Sequence, residues 1–196
     1  MITELEIFNM ALGQLGITRV SNLTDSTDKR VQAYQMYYEQ ALRFVLADLQ
    51  LSFSLKIDPL SLLSDQIVPG WDYAYQLPGD CVMVQGIMDS DGTRETEWEI
   101  RRIGAISDTV VCSNLEGAYI EFIQSVDETS VFPPQFEEVL KYKLAMDMAV
   151  FLTSDNGKLA ANKQLFDSAK MDATIIDNRQ SDQILPDDST YTDSRA

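Results

Sequence analysis

Apolar residues recur at spacings of three and four through residues 28–50, at Val31, Tyr34, Tyr38, Ala41, Leu42, Val45 and Leu49. That period predicts one stripe of a helix about 33 Å long. Tyr37, Phe44 and Leu46 lie off the stripe, so the helix should touch several neighbours. Upstream, Thr3 and Glu6 have the spacing of a capping box, with Ile7, Met10, Ala11 and Leu15 as the apolar face behind it. Gly16 can supply the left-handed residue that ends this first helix. In the connector, Ile17, Val20 and Leu23 should pin the chain to the helices. Asp25, Ser26 or Thr27 can cap the long helix, and Asp28 sits near its positive end.

After Gln50 the period falls to two. LSFSLKI alternates, and Pro59 closes that segment. Tyr73, Tyr75 and Leu77 alternate before the turn Pro78-Gly79-Asp80, and Val82, Val84 and Met88 follow as a second strand. Ser90-Asp91-Gly92 reads as a hairpin leading to Trp98 and Ile100. Residues 109–112 and 119–123 supply two more strands, with 114–117 as the turn. The helical period returns at Pro133 and Pro134, which suit a first helical turn. Phe136, Leu140, Leu144, Met148 and Phe151 mark this third helix. Beyond Asp155-Asn156-Gly157, a fourth should run antiparallel with Leu159, Phe166, Ala169, Ala173 and Ile176 on its face.

The expected fold is α+β. Residues 1–50 and 131–177 form a bundle of four main helices, and residues 51–130 a β-rich insert between its second and third helices. Residues 178–196 form a flexible acidic tail. Its sizeable apolar groups are Ile184, Leu185, Pro186 and Tyr191, the expected docking anchors on a neighbour or partner.

Composition narrows the chemistry. With 15 Lys+Arg against 31 Asp+Glu, the net charge of -16 argues against gripping nucleic acid through phosphates. Arg101 and Arg102 read as solvated arginines on a strand edge. The chain has no histidine, which removes the commonest general base and zinc ligand. Cys81 and Cys112 are too few for a zinc site and suggest idle thiols in a reducing compartment. No glycine pattern cradles phosphate. Asp89-Ser90-Asp91-Gly92 fails as a calcium loop, because Ile87 and Trp98 fall where oxygen ligands are required. No catalytic residue, metal or cofactor is expected. No apolar run is long enough to span a bilayer, and the opening MITELEIF lacks the pattern of a secretory signal. Trp71, Tyr73 and Tyr75 form an alternating aromatic set, suited to core or interface packing.

Several stretches resemble one family. They are Ile7-Phe8-Asn9-Met10-Ala11-Leu12-Gly13-Gln14-Leu15-Gly16, Val20-Ser21-Asn22-Leu23, and the helix carrying Ala41, Leu42, Arg43 and Phe44. Further along come Trp71-Asp72-Tyr73-Ala74-Tyr75-Gln76-Leu77-Pro78-Gly79-Asp80-Cys81 and Phe132-Pro133-Pro134-Gln135-Phe136. Together they resemble the tail tubular protein A, or head-to-tail adaptor, of short-tailed bacteriophages. The resemblance implies a non-enzymatic virion component, made in the host cytoplasm. Such a protein forms a ring of about twelve copies between the portal and the tail nozzle. It also implies portal docking by the C-terminal segment, possible contact with tail fibres, and DNA ejected through the ring without specific binding. An acidic helical adaptor for some other protein partner is the rival reading, and a histidine-free carboxylate enzyme the weaker one.

Overall fold

The computed structural model describes residues 2–65, 67–103 and 108–181. The helices are α1 (Glu4–Gln14), α2 (Lys29–Leu49), α3 (Pro134–Thr153) and α4 (Asn156–Ser181). Between α2 and α3 lie the strands β1 (Leu55–Pro59), β2 (Ser61–Leu62), β3 (Tyr73–Gln76), β4 (Cys81–Met88), β5 (Arg94–Glu95), β6 (Trp98–Ile103), β7 (Asp108–Ser113) and β8 (Tyr119–Gln124). The chain divides into two compact units. One holds Glu39–Phe132 with the first three residues, and the other holds Glu4–Tyr38 with Pro133–Ala196.

This corrects the expected bundle with a single insert. About 48% of the chain is helical and 22% strand, and the strands make two antiparallel sheets that curl around a core of their own. The division falls inside α2, after Tyr38, rather than where the sequence period changes at Leu51. Nor is α2 the seam of a bundle: the closely packed helix pairs are α3 with α4 and α1 with α3. The physical reason is that the second half of α2 belongs to the strand-rich unit and so is not part of a four-helix core. The fourth helix also runs through Ser181, past the tail boundary expected at residue 178.

In the strand-rich unit the sheet orders are β1-β8-β4-β5 and β2-β3-β7-β6. They are joined at both margins. β1 passes into β2 across Leu60, and β5 into β6 across Thr96 and Glu97. Ile87, Ile120 and Phe122 of the first sheet meet Tyr75 and Val111 of the second in one buried cluster. The opposite face of the second sheet is covered by Leu63, Val68 and Trp71, which pack on Ala74, Val110 and Cys112. Burial on both faces explains the adjacent buried residues Ala74 and Tyr75 on β3 and Val110, Val111 and Cys112 on β7. The turn after Asp89 forms as expected, with Asp89 Oδ1 accepting from the N–H groups of Asp91 (2.9 Å) and Thr93 (2.8 Å) and Gly92 at φ 82°. The turns at 78–80 and 114–117 close no hairpin. Each carries the chain from one sheet to the other.

In the helical unit, α1 ends at Gly16 with φ 67°, its N–H bonded to Gly13 and that of Ile17 to Leu12 (both 3.0 Å). This is a Schellman cap, and Lys158 Nζ adds a third bond by donating to the carbonyl of Leu15 (2.6 Å). The connector is fixed by a side chain that imitates a strand. Asn9 Nδ2 donates to the carbonyl of Val20 (3.0 Å), and the Val20 N–H donates to Asn9 Oδ1 (2.8 Å). Asn9→Ala should cost about 1–3 kcal/mol in urea unfolding, because both Val20 groups lose their partner at once. A change below 0.5 kcal/mol, within ordinary surface scatter, would show the clamp to be dispensable.

The cap of α2 is Asp28, not Asp25, Ser26 or Thr27. Asp28 Oδ1 accepts the Arg30 N–H (2.8 Å), while Asp25 closes a local turn with Thr27. The Arg30 guanidinium bonds Asp28 and reaches back to the carbonyls of Thr18 (2.9 Å) and Arg19 (3.2 Å), tying the connector to the helix start. These bonds, first the Arg30 side chain and then its N–H, hold the Asp28 carboxyl below its ordinary value. A depressed folded value stabilises above the unfolded value, near pH 3.9, and that stability is lost as the pH falls through the folded one. The gap in urea midpoint between the native chain and Asp28→Ala should therefore be widest at neutral pH and shrink below about pH 4. A gap independent of pH would remove the carboxylate from the account.

Candidate functional site

Pro133 and Pro134 open α3, and Ser154 ends it in the left-handed region at φ 54°. Asp155 then caps α4, its Oδ1 accepting the N–H of Gly157 (2.8 Å). The two helices return antiparallel, and α4 turns Asn162, Phe166 and Ala173 inward at the 4-then-7 spacing of a narrow seam. Asn162 is 3% exposed. Its Nδ2 donates to the carbonyl of Lys158 (2.9 Å), and its Oδ1 has no partner.

Beside this seam, the start of α3 and the later half of α4 leave a cleft of about 170 Å³. Leu165, Ala169 and Ala173 give it an apolar lining, with Leu165 the most exposed of the three. Gln135, Glu138, Tyr142, Ser168 and Asp172 stand around it. Lys141, buried to 8% exposure, lies under one side. Its Nζ donates to Glu138 (2.7 Å) and sits 4.3 Å from the centre of the Tyr142 ring. Burial pushes the Glu138 carboxyl up, but hydrogen bonds from Lys141 and Tyr142 outweigh it, and the net shift is downward. A general acid working near neutrality needs the opposite shift. Glu138 is therefore not poised as a general acid near neutrality. The side chains of Asp172, Gln135 and Ser168 make no hydrogen bond or ion pair among the described residues.

Apolar side chains face solvent on α4 and on the first sheet, among other places in the described residues. On α4, Leu165, Met171 and Ile175 are 42%, 64% and 49% exposed. On the outer face of the first sheet, β1 presents Leu55 and Ile57 and β4 presents Met83, beside the ion pair of Arg94 with Glu121.

The aromatic set singled out in the sequence is divided between the two faces of the second sheet. Tyr75 is buried between the sheets, its hydroxyl donating to the carbonyl of Leu115 (2.6 Å). Tyr73 lies 6.2 Å from it, centre to centre. Trp71 precedes β3 and packs on the other face of that sheet. Ile184, Leu185, Pro186 and Tyr191 lie outside the described residues. Burial raises both thiols, Cys81 to about 11, so neither is an activated nucleophile. Among the described residues no group of acidic or thiol side chains could hold a metal, and no helix is long and apolar enough to cross a membrane.

Sequence reasoning missed the cleft and the outer face of α4. Two signals were available: Glu138 and Lys141 at i,i+3, and Met171 and Ile175 at i,i+4 off the Phe166 stripe. The site rests on this geometry alone, since comparison with known families and with curated proteins finds no match to the chain.

Proposed function

We propose that this chain is a structural virion protein, a head-to-tail adaptor that assembles as a ring, most simply of twelve copies, between a portal and a tail nozzle. The observation that carries the reading is the exposure of α4. Of its described side chains only Asn162, Phe166 and Ala173 are buried, and Leu165, Met171 and Ile175 face water. A helix of 26 residues so little covered by its own chain is suited to burial against other copies. The charge of -16 fits the same role, because an acidic ring lets DNA pass without adhering. The resemblance in the adaptor-like stretches supplies the portal and nozzle as partners. Residues 182–196 are the proposed portal-docking segment, through Ile184, Leu185, Pro186 and Tyr191.

The test is to mix the purified chain with the portal ring of its own virus and measure particle mass and symmetry by electron microscopy. A heavier particle carrying a symmetric second ring is expected. Portal rings that stay bare at every concentration of the chain would overturn the reading. Truncation after Ser181 should leave monomer stability nearly unchanged and weaken assembly on the portal. Equal assembly by the truncated chain would remove the docking role from residues 182–196.

A further inference from the structure

We propose that the cleft between α3 and α4 receives one arginine side chain from a partner polypeptide. Size limits the occupant first. At about 170 Å³ the cleft is smaller than the roughly 300–1,000 Å³ of pockets that enclose small molecules or cofactors, so it suits a single inserted side chain.

The lining and rim then specify that side chain. Leu165, Ala169 and Ala173 offer an apolar bed for an aliphatic stem. Asp172 places a carboxylate at the rim with no ion pair among the described residues, and Gln135 and Ser168 add oxygen acceptors equally unused. Glu138 contributes little further charge, since Lys141 already neutralises it. A group with an apolar stem, a positive head and several donors meets all of these features. The planar fork of a guanidinium pairs with a carboxylate through two bonds and is shed from water more readily than an ammonium. The ammonium of Lys141 is already engaged with Glu138 and the Tyr142 ring, which leaves Asp172 as the lining carboxylate without an ion pair among the described residues. The net charge of -16 draws basic segments toward the surface from a distance.

This inference does not depend on the adaptor reading, and its test uses no portal. The full chain, with the Ala169 and Ala173 methyl groups observed by NMR, is titrated with N-acetyl-arginine amide. The same titration is run with the uncharged citrulline analogue and with the lysine analogue. Saturable shifts of these two methyls are expected with the arginine probe in the millimolar range. Asp172→Asn should weaken its binding about fivefold, as for a partly exposed ion pair. Asp172 is exposed, so folding of the variant is checked by its unchanged methyl spectrum elsewhere. Equal shifts from the citrulline or lysine probe would overturn the proposal. So would an undiminished response in Asp172→Asn, or shifts that rise without saturating.

Discussion

Urea unfolding of a Phe122→Ala variant is expected to show a loss of about 4 kcal/mol, the largest effect of any single truncation in the strand-rich unit. Phe122 is wholly buried on β8, the strand that pairs with both β1 and β4, and its ring meets Tyr75 and Val111 of the second sheet. Truncation removes an aromatic ring from water-free contact and leaves a cavity. The walls of that cavity are hydrogen-bonded strands, which cannot collapse into it without breaking their ladder. Phe122→Leu keeps most of the volume and should cost about 1.5 kcal/mol or less. If the alanine variant lost under 1 kcal/mol, the two sheets would not share a packed core there.

Leu42→Asp should be comparably damaging for a different reason. Leu42 is 3% exposed on α2, so the substitution buries a carboxylate where no partner was arranged for it. A penalty of about 4 kcal/mol or more is expected at pH 7. Burial raises the folded pKa of the new group above its unfolded value near 3.9. The charge penalty is therefore absent below that value and grows as the pH rises through the folded one. Leu42→Asn presents a similar shape without titrating. The stability difference between the two variants should be wide at pH 7 and narrow toward pH 4. Curves that run parallel across this range would mean that the aspartate escapes to water.

The helices were legible because each carries its own period. Val31, Tyr38, Leu42 and Val45 on α2 lie buried as their spacing predicts, and Gly16, Pro134 and Asp155-Asn156-Gly157 stand at or beside the helix boundaries. The strands were legible one by one. Their partners were not, because pairing is decided between residues far apart in sequence. Pro78-Gly79-Asp80 has the chemistry of a hairpin turn and sits between two alternating runs. Yet Tyr75 pairs with Val111 and Val84 with Phe122, so the turn rounds a corner between sheets. The same limit hid the two-unit division. Leu51 changes the local period, but the second half of α2 belongs with the strands, and no local pattern marks that allegiance. Asp28 displaced three other capping candidates for a similar reason. Any of the four has a suitable side chain, and the bonds of Arg30 to Thr18 and Arg19 favour one. The cleft needed two helices in place before Glu138 and Asp172 could be seen on one rim.

The position of β8 between β1 and β4 also sets an order of events. Both its partners are synthesised first, and Leu55 must wait for Ile123. Until β8 leaves the ribosome, β1 has no neighbour in its sheet and one side of β4 stands unpaired, with Ile87 and Tyr75 lacking the ring of Phe122. Closing so long a loop is slow, and free strand edges invite pairing with another chain in the meantime. β2 and β5, the edges that remain in the finished sheets beside β1 and β6, are only two residues long and offer little to a stranger. The first sheet is therefore more open to joining another copy by mistake before β8 has emerged than after β8 has paired with β1 and β4.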